Sequence, residues 1–260
     1  MKFNNRNIYI GKNVSIGANV KIGDNTSIYD NVVIDDNCII CDNCSIGEPL
    51  GDYYKTQYEN PCLHIGRKSL IRSNSVIYAG SSIGDNLQTG HYAIIRENNV
   101  LGRNCMVGNH TTILTGCHIG DYCRFHSYNE IGECSVIDDY VFLYPNVLLS
   151  ADPTPPSNTI DSIHIGSFSQ IASNVMLMPG ADVGCHCLIG ACSKVGGKVR
   201  DYSFVNGNPA KRVCDIRDLP IICKETGNPQ YPWPYNFSRN MPWDGIGFEE
   251  WSKLNNVIIE

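Results

Sequence analysis

From Ile10 onward an aliphatic residue returns at every sixth position: Ile10, Ile16, Ile22, Ile28, Ile34, Ile40 and Ile46. Polar and turn-forming residues fill the places between, and Gly follows the aliphatic at Gly11, Gly17, Gly23 and Gly47. A 19-residue step carries the phase to Ile65. It then runs through Ile71, Ile77, Ile83, Thr89, Ile95, Leu101, Val107, Ile113, Ile119, Phe125, Ile131, Ile137, Leu143 and Leu149. A second break precedes Ile165, Ile171, Leu177, Val183, Ile189 and Val195. Neither a heptad nor a 3.6-residue helical period produces this spacing, whereas a fixed short repeat is the signature of a β-solenoid. Each unit supplies one short strand and one turn. Three units close a triangular coil, with the aliphatic side chain in a stacked core and Gly, Asn or Asp at the corner. The predicted fold class is therefore all-β, a parallel β-helix.

The breaks in phase matter most for function, because loops that leave a rigid scaffold commonly carry it. Glu48 to Cys62 (48–62) contains Tyr53, Tyr54, Lys55 and Tyr58. Ser150 to His164 (150–164) contains Asp152 and Pro153-Thr154-Pro155-Pro156. The repeat is expected to end near Val205, giving a β-helix domain over 1–213. The remaining 214–260 is rich in proline and aromatics, including Trp233, Trp243 and Trp251, with one short helix expected near Phe248 to Asn255. Such an extension needs a surface to lie on, and is expected to cap the β-helix or a neighbouring subunit.

Composition narrows the picture. Of 260 residues 42% are hydrophobic and 18% charged, enough to bury a core and unlike a disordered chain. A net charge of -6 argues against a nucleic-acid or anionic-membrane footprint. Met1 to Asn7 lacks an apolar stretch typical of a secretory signal, and no apolar run is long enough to span a bilayer, so a cytoplasmic protein is expected. The 13 cysteines include a Cys38-x2-Cys41-x2-Cys44 run, but no second cluster completes a zinc site. Cys38, Cys44, Cys105, Cys117, Cys123 and Cys187 each lie two residues before a core aliphatic, an inward position that suits a small side chain. No metal is expected.

Coils of 18 residues would stack equivalent positions about 4.8 Å apart. His91, Asn109 and Ser127 then share one column, Tyr92, His110 and Tyr128 the next, and Glu97, Thr115 and Glu133 another. His126 is expected beneath Gly90 and Gly108, in space left by their missing side chains, with Glu130 nearby. A second candidate is the basic run Lys194, Lys198, Arg200, Lys211 and Arg212, interrupted only by Asp201; it suits the phosphates of a coenzyme.

Hexapeptide units followed by Gly207-Asn208-Pro209-Ala210-Lys211 resemble the left-handed β-helix acyltransferase family over about residues 8–213. The resemblance implies a left-handed coil, a homotrimer with active sites between subunits, and acyl-CoA lying near the C-terminal coils. Gln88-Thr89-Gly90-His91 and Ile95-Arg96-Glu97-Asn98 resemble enzymes that N-acetylate nucleotide-linked amino sugars, and the length and aromatic extension are most similar to the dTDP-3-amino-3,6-dideoxyhexose N-acetyltransferases. That implies transfer of an acetyl group from acetyl-CoA to the amine of a nucleotide-linked sugar. O-acetylation of another sugar or small molecule, or N-acylation of a 4-amino sugar, are the alternatives. The γ-carbonic anhydrases share the architecture, but none of the histidines at 64, 91, 110, 118, 126, 164 and 186 form their five-residue pair. One departure is informative. Where family O-acetyltransferases often carry a catalytic His before Pro, this chain has Ser150-Ala151-Asp152-Pro153, which favours an amine nucleophile.

Attack on a thioester needs a neutral amine, donors for the oxyanion and a proton for the leaving thiolate. The expected catalytic residues are His126, with Glu130 and His91 beside it. Arg96, Glu97, His110 and Tyr128 are expected to contact the sugar nucleotide, and Tyr53 or Tyr54 to stack on its base. The coenzyme is expected at Ala191, Ser193, Lys194, Asn208, Lys211 and Arg212.

Overall fold

The computed structural model describes residues 4–257, and these form a parallel β-helix with an irregular C-terminal extension. The first sheet stacks ten strands from Tyr9–Ile10 to Lys194–Val195, and the second stacks ten from Ser15–Ile16 to Lys198–Val199. The third holds eleven, beginning at Lys21–Ile22. Its last two strands, Ser203–Gly207 and Ala210–Asp215, form an antiparallel hairpin that ends the repeat. Register follows the 18-residue coil: Ile77 pairs with Ile95, Ile95 with Ile113 and Ile113 with Ile131. The ladder closes across each loop, pairing Ile46 with Ile77 and Ile137 with Ile165.

Chemistry at three repeating positions explains why this sequence coils. The aliphatic position is fully buried from Ile28 to Ile189 and forms one continuous core. Two residues earlier, a small donor reaches the carbonyl of the next coil. Ser81 and Thr111 donate to the carbonyls of Arg96 and His126 at 3.0 and 2.8 Å. Cys105 and Cys117 place their sulfurs 3.1 and 3.2 Å from the carbonyls of Gly120 and Gly132. The buried cysteines are thus packing residues. Burial pushes the Cys117 thiol up to about 12 and that of Cys187 up to about 11, leaving both uncharged. At the corners the backbone turns left-handed every sixth residue, as at Asn13 (φ 53°) and Asn31 (φ 60°), where Asn tolerates that conformation best after Gly.

Both long loops leave from the same edge, between the first and second sheets. One joins Ser45–Glu48 to Leu63–Ile65 and the other joins Leu148–Leu149 to His164–Ile165. The C-terminal extension lies along the third sheet of its own chain. Trp233, Trp243, Phe248 and Trp251 pack with Tyr140, Phe142 and Phe168 in a second apolar cluster. Trp233 Nε1 donates to the Phe168 carbonyl at 2.8 Å, and Arg124 Nη2 reaches the carbonyls of Arg239 and Asn240 at 3.3 Å. The helix Phe248–Leu254 belongs to this cover. Among the described residues, the extension's apolar cluster packs on the side of the third sheet.

Backbones of successive coils approach closely at the glycine that follows a core residue. A β-carbon on Gly108 would sit 2.4 Å from the carbonyl carbon of His126. Gly108→Ala is expected to destabilise the fold by about 1–3 kcal/mol, seen as a lower thermal midpoint. Gly196→Ala is the control, since its β-carbon would meet Met178 at an ordinary 3.6 Å.

Candidate active site

The corner between the third and first sheets carries the polar columns. Tyr92, His110 and Tyr128 stack face to face at 4.9 and 5.1 Å, all three in the left-handed corner conformation. Beside them the His91 amide donates to Asn109 Oδ1 at 2.7 Å, and Asn109 Nδ2 donates to Ser127 Oγ at 3.4 Å. Parallel register alone produces both columns. His91, Tyr92, His110 and Tyr128 are exposed, so rings and imidazoles form a ridge open to a ligand.

His126 and Glu130 flank this ridge. His126 follows the strand Arg124–Phe125 of the third sheet, and Glu130 opens Glu130–Ile131 of the first. Both are exposed, and no side-chain hydrogen bond joins them among the described residues. The space expected beneath Gly90 and Gly108 is absent, because a β-carbon on either would strike the backbone of the next coil. His126 is oriented instead by Tyr144, whose ring stacks on it at 5.0 Å. Desolvation and the neighbouring Arg124 charge hold its pKa below the usual imidazole value, so the ring is neutral at neutral pH. A neutral, exposed imidazole can accept a proton.

Arg96 and Glu97 occupy the opposite end of the first sheet, at the corner from which the loops depart. Arg96 Nε and Nη2 meet the two oxygens of the nearly buried Glu97 at 2.8 and 3.2 Å, and the guanidinium lies 4.8 Å from the Tyr78 ring centre. This fork uses the Nε hydrogen and one on Nη2, leaving the Nη1 hydrogens and the second on Nη2 to donate elsewhere.

Tyr53 and Tyr54 lie in the short turn Gly51–Tyr54, which folds back onto the N-terminal coils. Tyr53 packs edge-on to Tyr29 and Tyr58 at 6.3 and 6.4 Å, and its hydroxyl donates to Asp30 at 3.4 Å. Tyr54 donates to Glu48 at 3.3 Å. These rings form their own cluster, separate from His126 and Glu130.

The basic run is spread around the last coil. Lys194 belongs to the first sheet, Lys198 to the second, and Lys211 and Arg212 to the terminal hairpin on the third. Lys198, Arg200 and Arg212 line a hollow of about 190 Å³ at the end of the core. Ala191, Lys194, Asn208 and Lys211 are exposed, whereas Ser193 is buried and accepts from the Gly207 amide at 3.0 Å. Ser193 therefore ties the hairpin to the helix.

The second loop supplies a detail that sequence alone does not. Asp152 accepts from Thr154 N, Ser157 N and Ser157 Oγ at 2.9, 3.0 and 2.7 Å. The Ser157 bonds lead in holding its pKa below the usual carboxylate range. Sequence reasoning also missed His164, which bridges Asp138 and Asp182 at 3.2 and 2.9 Å. The 18-residue spacing from His164 to Asp182 was the available signal; the intervening loop hid the pairing with the Asp138 coil. Burial leads in placing the pKa of His186 at about 4, beneath the extension between Phe168 and Tyr202.

Comparison with known proteins is consistent with this architecture. The family model described as bacterial transferase hexapeptide (six repeats) matches residues 19–48 and 100–133. A chloramphenicol acetyltransferase of Escherichia coli is 27% identical over 63% of this chain and 72% of its own length. An acyl-[acyl-carrier-protein]--UDP-N-acetylglucosamine O-acyltransferase of Campylobacter concisus is 26% identical over 62% of this chain and 71% of its own. The solved UDP-N-acetylglucosamine acyltransferase from Campylobacter jejuni superposes with a TM-score of 0.56 at 18% identity, covering 79% of this chain and 73% of that one, a likeness of fold. The chain thus carries hexapeptide repeats wound into a β-helix and is similar to acyltransferases built on the same repeat.

Proposed function

We propose that the protein is an N-acetyltransferase that moves an acetyl group from acetyl-CoA to the amine of a nucleotide-linked, dTDP-type 3-amino-3,6-dideoxyhexose. The observation that carries this reading is the state of Asp152. At the place where related O-acetyltransferases often hold a base, this carboxylate is ionised and committed to the turn of its own loop. A sugar hydroxyl needs strong activation, whereas a neutral amine needs little. The amine attacks the thioester carbonyl, the carbon–sulfur bond breaks, and the amine proton ends on the departing thiolate. A thiol pKa of about 8.5 makes that sulfur a workable acceptor.

His126 is the first choice to orient or deprotonate the amine, since its ring is neutral and exposed. Glu130 and His91 border the same ridge. Arg96, His110 and Tyr128 would hold the sugar nucleotide, with Glu97 fixing Arg96. Tyr53 and Tyr54 contribute to the base only if the substrate reaches, or a neighbouring subunit brings, the N-terminal coils. Lys194, Lys211 and Arg212 would meet the coenzyme phosphates, with Ala191 and Asn208 beside them and Ser193 holding the hairpin in place. A homotrimer in the cytoplasm would use the first two sheets to close the cleft. O-acylation is the second reading, favoured by the O-acyltransferase among the relatives.

The deciding experiment incubates the protein with acetyl-CoA and a panel of dTDP-amino sugars and follows thiol release. Turnover with a 3-amino sugar and none with its 3-hydroxy counterpart is expected; the reverse preference establishes O-acylation. Replacing Lys211 and Arg212 together by Ala should weaken acetyl-CoA binding by about 1–3 kcal/mol in calorimetry. Unchanged affinity would make both residues ordinary surface charges. His126→Ala should lower turnover about 10²–10⁴-fold with coenzyme affinity preserved. A variant running at full rate removes His126 from the mechanism.

A further inference from the structure

The 150–163 loop rejoins the β-helix at His164, on the outer face of the second sheet. Register sets Val136 beside His164 and His164 beside Asp182, so the ring lies between carboxylates carried by the coils on either side. Nε2 is 3.2 Å from Asp138 Oδ2 and Nδ1 is 2.9 Å from Asp182 Oδ1. Lys198, one coil further, stands 3.4 Å from Asp182 Oδ2. Negative and positive groups therefore alternate from Asp138 through His164 and Asp182 to Lys198.

This arrangement dictates the ring's protonation. Both carboxylates only accept hydrogen bonds, while a neutral imidazole has one N–H and one lone pair. A neutral ring would aim its lone pair at a carboxylate, so only the imidazolium satisfies both partners. Partial burial opposes the charge, but the hydrogen bonds to Asp182 and Asp138 outweigh it and raise the pKa above the usual imidazole value. Asp182 is lowered correspondingly, first by His164. The remaining titratable groups nearby leave this balance intact. Burial keeps the Cys185 thiol protonated, and Asp139, itself raised by burial, accepts from the Asp121 amide at 2.6 Å. His118 stands in the same column beyond Val136.

The foot of the loop is otherwise held by backbone contacts: Val136 N donates to the Ile163 carbonyl at 2.8 Å and His164 N to the Ala181 carbonyl at 3.0 Å. Ile163 is buried, Asp161 N donates to the Ala151 carbonyl at 2.8 Å, and Gly180 N donates to the Asp161 carbonyl at 3.1 Å. We propose that His164 is a positioning residue: as a cation clamped between Asp138 and Asp182 it fixes the return of the 150–163 loop, and through that loop the acceptor side of the active site, without taking a proton in the reaction. The last part rests on the function proposed above; the clamp itself does not.

The sign of the pH effect follows from the raised pKa. The clamp is intact below the ordinary imidazole value and is lost as pH rises through the elevated one. Nitrogen NMR of the ring, hydrogen exchange of the 150–163 amides and steady-state kinetics test the proposal, using His164→Gln and the charge-retaining His164→Lys. Near neutral pH the wild-type ring should be doubly protonated. In His164→Gln the loop amides should exchange about tenfold faster and the Michaelis constant for the amino sugar should rise about tenfold, with turnover nearly unchanged. His164→Lys should recover most of both. Raising the pH should bring the wild type toward His164→Gln while His164→Lys stays level. A neutral ring near neutral pH, or unchanged loop exchange in His164→Gln, overturns the clamp. A loss confined to turnover would place His164 in the chemical step instead. If no amino sugar is turned over, the function proposed above fails while NMR and exchange still decide the clamp.

Discussion

An amide in one coil donates to a carbonyl in the next, as Gly108 N does to Phe125 O at 2.8 Å, and this ladder repeats along all three sheets. Its spacing of about 4.8 Å forces every side chain to tolerate the residue at the same position one coil away. Inward positions must therefore be filled by aliphatics that interlock and by small donors such as Ser81, Cys105 and Thr111. Glycine stands where backbones meet, and left-handed corners favour Asn. The cysteine content is a consequence of the same rule, because a thiol can replace a hydroxyl at the donor position.

The ladder also decides what kind of site can exist. Residues 18 apart meet automatically, which explains the Tyr92–His110–Tyr128 ridge and the His164–Asp182 contact. Residues from different positions of the repeat stay on different faces. His126 and Glu130 sit on either side of one corner, whereas Arg96 and Glu97 lie at the next. A substrate that touches all of them must lie across the first sheet, or between that sheet and another copy of the chain. The extension narrows the choice further, since Trp233, Trp243 and Trp251 already cover the third sheet. The function proposed above accordingly depends on the first two faces and on the loops that leave between them.

Electrostatics then separates two histidines. His126 has a cation as its charged neighbour, which helps to hold its pKa down, while His164 has two carboxylates, which raise its pKa. The first is suited to chemistry and the second to holding structure. Asp152 is likewise defined by its partners, which turn a potential base into the organiser of a turn.

The six-residue period by itself determined the coil, its register, the inward cysteines and the columns at 18-residue spacing, because each depends only on a repeat that the ladder enforces locally. The two loops were visible as phase breaks, and the aromatic extension as a segment needing a surface. Tertiary structure decided the rest. Nothing in the spacing indicated that Gly90 and Gly108 serve backbone approach, that the basic run encircles the last coil, or that Tyr53 and Tyr54 fold onto the N-terminal coils. The choice of the third sheet for the extension depends on shape and on the Tyr122–Tyr140–Phe168 column that it seals. The His164 clamp needed Asp138 brought across a loop whose length has no bearing on the ladder. A period records what neighbouring coils require of each other. Where a loop returns and which face a tail covers are set by contacts between residues that share no period.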